Sequence, residues 1–197
     1  LTASMQKQEV ELALKTIFKV DDINKDISDI KGQLKKEKLD FGSLYTNTEI
    51  KQAVYQAMTE GAPYEVVKAM LPAAFKYGHL PGRTLMEALT DFTGAAGGRR
   101  TEVDFAKYGM IDDRDIERIK VAQQEMAKFM NTRKMAITLA RIFNNNEKAT
   151  LFTYERLNSV MGKQEKIRGS ISEKVEKAGD VLSVGATGMA DYLLRLL

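Results

Sequence analysis

Apolar residues recur at spacings of three and four along most of this chain of 197 residues, and this period constrains the fold strongly. The first such stretch runs from Gln6 to Lys38, with apolar residues at Val10, Leu14, Ile17, Val20, Ile23, Ile27, Ile30 and Leu34. The stripe predicts one amphipathic helix, about 50 Å long at about 1.5 Å per residue. A compact domain of this size is about 42 Å across, so we expect an elongated molecule or a bent helix.

The same period returns in the second half of the chain, on both sides of Asn144, Asn145 and Asn146. The stripe before these asparagines comprises Ile116, Ile119, Met126, Met130, Ile137, Ala140 and Phe143. The stripe after them comprises Leu151, Leu157, Val160, Ile167, Ile171, Val175 and Ala178. Because asparagine favours turns, the pattern predicts an antiparallel helical hairpin whose apolar stripes face a core. Asp112, Asp113 and Asp115 are expected to cap its first helix.

Residues 40–98 have a different pattern, because all three prolines of the chain lie there. Thr48 is expected to cap a helix that ends at Gly61, and Pro63 to open a second helix. Pro72 should kink or interrupt that second helix, and Pro81 precedes a third. These short elements predict a small helical appendage at one end of a longer bundle.

The expected fold is therefore all-α, an elongated three-helix bundle made of the N-terminal helix and the hairpin, together with the appendage. Four segments are expected: the N-terminal helix (1–39), the appendage (40–98), the hairpin (99–180) and an apolar tail (181–197).

The composition excludes several kinds of functional site. Without Cys the chain has no thiol nucleophile, thiolate zinc site or iron–sulfur cluster, and one His cannot form a His-rich metal site. That residue, His79, is expected to be a turn histidine with a backbone hydrogen bond. We predict no cofactor and no metal ion. The ten methionines are expected to be mainly core residues.

The charge is small and evenly distributed, with 30 Lys and Arg against 27 Asp and Glu. No segment is strongly basic, so no specific nucleic-acid surface is predicted. One alternative remains, in which the chain binds phosphate or nucleic acid through Arg99, Arg100 and the basic residues of the 112–147 helix. A third hypothesis is a carboxylate-dependent hydrolase, although no pair of acidic residues is distinguished in the sequence. We expect a protein that is not an enzyme.

The C-terminal tail is the strongest candidate for a binding segment, because it is more apolar than a chain end requires. Its predicted partner-binding residues are Tyr192, Leu193, Leu194, Leu196 and Leu197. The tail could pack in its own core, on a neighbouring subunit or on a membrane surface; insertion into lipid is disfavoured by Asp191 and Arg195.

These features together predict a structural or assembly component of a complex, either a homo-oligomer or a hetero-oligomer, that has no small-molecule substrate. A pilus, a secretion or flagellar accessory, or a virion is the expected setting. The chain begins at Leu1, as it would after removal of a signal peptide, so a periplasmic or extracellular location is favoured, with a virion or the cytoplasm as the alternatives.

Overall fold

The computed structural model describes residues 3–37, 40–97, 105–109, 111–129, 132–145, 147–159, 163–168, 170, 171 and 174. Within these residues the fold is helical without strands, which confirms the predicted all-α class. The helices are α1 (Ala3–Thr16), α2 (Ile23–Lys36), α3 (Asn47–Thr59), α4 (Tyr64–Tyr77), α5 (Leu85–Ala96), α6 (Asp113–Phe129), α7 (Thr132–Asn144) and α8 (Glu147–Asn158). Short 3-10 helices cover Phe41–Leu44 and Phe105–Tyr108, and residues 163–168 are also helical.

The predicted single helix from Gln6 to Lys38 is wrong, because the chain forms two helices, α1 and α2, in this region. Between them Lys19 adopts a left-handed conformation with φ of 58°. The Asp22 side chain then accepts a hydrogen bond from Lys25 N at 2.9 Å and caps α2. The connecting turn thus allows α1 and α2 to pack separately against α3.

The segment predicted to be an appendage packs among the other described helices. Helix α5 packs against α3 and α4, and α4 also packs against α7. Side chains from these helices form one core, in which Phe92 stacks on Phe143 with ring centroids 4.1 Å apart. Tyr77 meets the same two rings edge-on. The described helices therefore do not show the predicted separation into a three-helix bundle and an appendage.

The boundaries of the central helices follow local sequence signals, although two of the predictions made for them are wrong. Helix α3 is capped by Thr46 rather than by Thr48, through a reciprocal capping box with Glu49. Pro63 precedes α4 as predicted, but Pro72 lies inside α4 and does not end it. Because α4 is buried against neighbouring helices, packing compensates for the backbone hydrogen bond that Pro72 cannot donate. Thr84 caps α5 by accepting a hydrogen bond from Glu87 N at 3.1 Å.

The second half of the chain is also more divided than its apolar period predicts. The expected helix from Asp112 to Phe143 forms α6 and α7, which pack against each other. The break at the three asparagines is confirmed, because α7 ends at Asn144 and α8 begins at Glu147. Asp112 caps α6 as predicted, accepting a hydrogen bond from Asp115 N at 3.0 Å.

Candidate functional site

The residues predicted to bind partners lie outside the described part of the chain. This applies to the tail residues Tyr192, Leu193, Leu194, Leu196 and Leu197, and also to the anion-binding candidates Arg99 and Arg100. Their roles stay predictions. The described residues contain two other features of functional interest, an exposed apolar surface and a polar cleft, which share helix α8 and the segment that follows it.

The exposed apolar surface consists of Leu151 and Tyr154 on α8, and of Ile167 and Ile171 in the following helical segment. Their exposed fractions are 63%, 53%, 59% and 56%. The spacing of three residues places Leu151 and Tyr154 on one side of α8. We call these four residues the C-terminal apolar surface.

This surface corrects the predicted role of the last apolar stripe. Leu157 is buried as expected, but Leu151, Ile167 and Ile171 face solvent instead of a bundle core. Helix α8 uses another side to contact the protein, where Ala149 and Leu157 pack in the core. A segment predicted to be covered by its own chain is therefore exposed among the described residues.

The polar cleft lies where the turn after α4 and the first turn of α5 approach α8. It has a volume of about 460 Å³, and its lining includes three arginines, Arg83, Arg156 and Arg168. We call it the arginine cleft. Tyr45 and Glu49 line its other side.

His79 is a buried side chain in this lining, with 9% of its surface exposed. Its Nδ1 lies 2.9 Å from the carbonyl oxygen of Phe75, and its ring stacks on Phe152. This geometry confirms the predicted turn histidine with a backbone hydrogen bond. Because a carbonyl oxygen only accepts, Nδ1 carries the proton and Nε2 presents a lone pair. Burial lowers the pKa of His79 below its ordinary value, which favours this neutral form.

Two of the three arginines are held by carboxylates. Arg156 Nη2 lies 3.0 Å from Glu165 Oε1, and Arg83 Nη1 lies 2.8 Å from Glu87 Oε1. Arg168 forms no ion pair with any other residue that the structure describes. The two pairs fix guanidinium groups at the cleft wall and leave Arg168 as a third positive charge beside them.

A polar network behind the cleft holds Arg83 in place. Glu87 also pairs with Lys107 at 2.9 Å, and Lys107 lies 2.6 Å from Asp91. Tyr108 donates a hydrogen bond to Asp91 at 2.7 Å. Although burial acts in the opposite direction, the neighbouring Lys107 and Arg83 hold the pKa of Glu87 below its ordinary value. Glu87 is therefore a stable anionic anchor for Arg83.

Each acidic residue of the cleft has one carboxylate oxygen bonded within the protein, which bears on the hydrolase hypothesis. Glu49 Oε2 accepts hydrogen bonds from Thr46 N at 2.7 Å and from Thr46 Oγ1 at 3.0 Å. Glu165 pairs with Arg156, as described above. A glycosidase needs two acids that face one substrate, one of them as a proton donor. The cleft instead uses one acid as a helix cap and the other as a counter-ion.

Comparison of the chain with protein families, with characterised proteins and with solved structures found no match. Among the described residues there is no cluster of three acidic or His residues that could hold a metal ion. No helix in those same ranges is long and apolar enough to cross a membrane. Function is therefore argued from the two surfaces themselves.

Sequence reasoning missed both features. Arg83 lies more than 70 positions before Arg156 and Arg168 in the sequence, and no local motif connects it with them. The Pro81-Gly82 turn and Thr84 were a usable signal, because they mark a helix start next to a basic residue.

Proposed function

We propose that this protein is a non-enzymatic assembly subunit that forms a homo-oligomer through the C-terminal apolar surface. The observation that carries the proposal is the exposure of Leu151 and Tyr154 on α8 and of Ile167 and Ile171 in the segment that follows it. Large exposed apolar side chains that are grouped in this way are typical of protein contacts. A pilus, a secretion or flagellar machine, or a virion is the kind of assembly that such a subunit would serve.

The proposed occupant of this surface is the apolar tail of a second copy, residues 181–197. The tail ends in the sequence Tyr192-Leu-Leu-Arg-Leu-Leu197, in which Arg195 is the only charge. An apolar segment of this kind complements an apolar surface of leucine, isoleucine and tyrosine. The exchange of identical tails between copies would form a symmetric contact.

The estimated free energy of association also favours a contact that uses both the C-terminal apolar surface and the tail. Burying one Leu or Ile side chain contributes about 1.5–3 kcal/mol, whereas association costs at least about 4–15 kcal/mol in lost freedom. Three aliphatic residues on the surface, Leu151, Ile167 and Ile171, would together contribute at most about 4.5–9 kcal/mol, which covers only the lower part of that cost. The four leucines in the last six residues of the tail would supply the remainder.

The oligomeric state of the purified full-length chain tests the proposal. Light scattering after size exclusion should show an oligomer for the wild type. Deletion of residues 181–197 and the double substitution Leu151→Ser with Ile167→Ser should each give monomers. Val121→Ser is the matched control, because Val121 is an exposed apolar residue on α6, outside this surface, and should leave the oligomer intact.

Circular dichroism should show that each variant keeps its helical content. A monomeric wild type would contradict the proposal. An oligomer that survives the double substitution but not the deletion would also contradict it, because the tail would then dock elsewhere. A deleted chain that is monomeric and unfolded would show instead that the tail packs in its own core.

A further inference from the structure

Four residues that line the arginine cleft each carry one buried polar atom that has no hydrogen-bond partner among the described residues. These atoms are His79 Nε2, Arg83 Nε, Arg156 Nε and Glu165 Oε2. Buried polar atoms in folded proteins are nearly always paired, because an unpaired one loses its hydration without compensation. Their concentration in one cleft, with two donors and two acceptors, indicates a site that is completed by a polar ligand.

The donors of the cleft favour an oxyanion. Arg83 and Arg156 each have a buried Nε–H group without an acceptor among the described residues, and the guanidinium of Arg168 adds a charge that no described acid neutralises. Helix α5 begins in the same lining, with Thr84 as its cap and Leu85 as its first residue. The N-terminus of a helix carries a partial positive charge. Guanidinium groups beside a helix N-terminus are the preferred surroundings of a phosphate group.

The acceptors of the cleft require that the ligand also carries hydrogen-bond donors. His79 Nε2 presents a lone pair, because the ring proton lies on Nδ1 and is donated to Phe75 O. Glu165 Oε2 is a carboxylate oxygen and also accepts. A ligand hydroxyl satisfies either acceptor. An ammonium group is disfavoured, because three arginines already line the same space.

We propose that the arginine cleft binds a small phosphate monoester that carries hydroxyl groups, such as a sugar phosphate. The phosphate lies against the arginines and the start of α5, and the hydroxyl groups donate to His79 and Glu165. The cleft volume of about 460 Å³ lies within the range of roughly 300–1,000 Å³ that is usual for small-molecule sites. The residues that line this site differ from the four residues of the proposed oligomer contact.

Isothermal titration of the full-length protein with glucose 6-phosphate, inorganic phosphate and glucose tests the site. Glucose 6-phosphate should bind about tenfold more tightly than inorganic phosphate, and glucose should give no measurable heat. Arg168→Gln should weaken binding of both phosphates by about tenfold, because it removes one of the three positive charges that line the cleft. Arg141→Gln, exposed on α7 and outside the cleft, is the matched control and should change neither affinity.

His79→Phe separates a hydroxyl contact from a merely structural role. The phenyl ring keeps an aromatic face against Phe152 but has no lone pair. Affinity for glucose 6-phosphate should fall by about tenfold, while affinity for inorganic phosphate stays unchanged. If this variant does not fold, the exposed Arg168→Gln still decides whether the phosphate is bound in the cleft.

Three results would overturn the inference. The first is no binding of glucose 6-phosphate at millimolar concentration. The second is equal binding of glucose 6-phosphate and inorganic phosphate, which would remove the hydroxyl contacts. The third is binding that Arg168→Gln leaves unchanged, which would place the ligand outside the cleft.

Discussion

Lys76 should make the stability of this protein rise as the pH is raised from neutral to alkaline values. The side chain is 3% exposed, and its ammonium group bonds to Asn144 O at 2.7 Å and to Thr150 Oγ1 at 2.8 Å. It thus occupies the C-terminus of α7, where a positive charge is favourable. Burial nevertheless lowers the pKa of Lys76 from 10.5 to about 8.

The direction of the effect follows from proton binding in the two states. Between about pH 8 and 10.5 the folded chain has lost the Lys76 proton while the unfolded chain still holds it. Stability rises with pH wherever the unfolded state binds more protons. At about 1.4 kcal/mol per pKa unit, the free energy of unfolding should increase by about 2 kcal/mol between about pH 7 and pH 10.

Buried tyrosines limit the rise at its alkaline end. Burial raises the pKa of Tyr77, and burial together with the Asp91 hydrogen bond raises the pKa of Tyr108. The unfolded chain therefore loses these phenolic protons first, above about pH 10, and stability should then fall. We expect a maximum of stability near pH 10.

Urea unfolding followed by circular dichroism, at four pH values from about 7 to 10, measures this rise. Lys76→Met should abolish it, because methionine does not titrate. Lys68→Met is the matched control on the same helix, at a side chain that is one-third exposed, and should retain the rise. A flat profile in the wild type, or an equal rise in Lys76→Met, would refute the reasoning.

Three further stability changes can be measured by the same unfolding assay. Gly78→Ala should lower the free energy of unfolding by about 1–3 kcal/mol, because a Cβ there would lie 2.7 Å from Leu85 Cα. Its control is Gly32→Ala in α2, where a Cβ meets open space and should raise the free energy of unfolding by up to about 1 kcal/mol. Equal effects of the two substitutions would contradict this prediction. Phe143→Ala should cost about 3–5 kcal/mol, because it removes a fully buried ring, and a loss below about 1 kcal/mol would disprove its central role. Thr46→Ala should cost about 1 kcal/mol through loss of the capping box, and an unchanged midpoint would argue against that cap.

The helical class was predictable from the sequence, but the number of helices was not, and α1 and α2 show why. Val20 and Ile23 follow Leu14 and Ile17 at helical spacing, so the apolar period continues through the break. The turn between the helices returns Val20 and Ile23 to the core, where both are buried. Apolar spacing alone therefore could not reveal the turn. The residue that indicated a new helix start was Asp22, because aspartate is a favoured capping residue and it lies in the middle of the apolar stripe.

The arginine cleft could not be predicted, because tertiary packing creates it from residues with ordinary local surroundings. Arg83 has a carboxylate four residues ahead in Glu87, which in sequence indicates no more than an exposed helical ion pair. Arg156 and Glu165 flank a helix end and are nine positions apart. Only the packing of α8 against α4 brings this second pair to the turn that holds His79. The spacing of apolar residues in a sequence indicates which side of a helix is apolar. A polar site depends instead on which helices pack against each other.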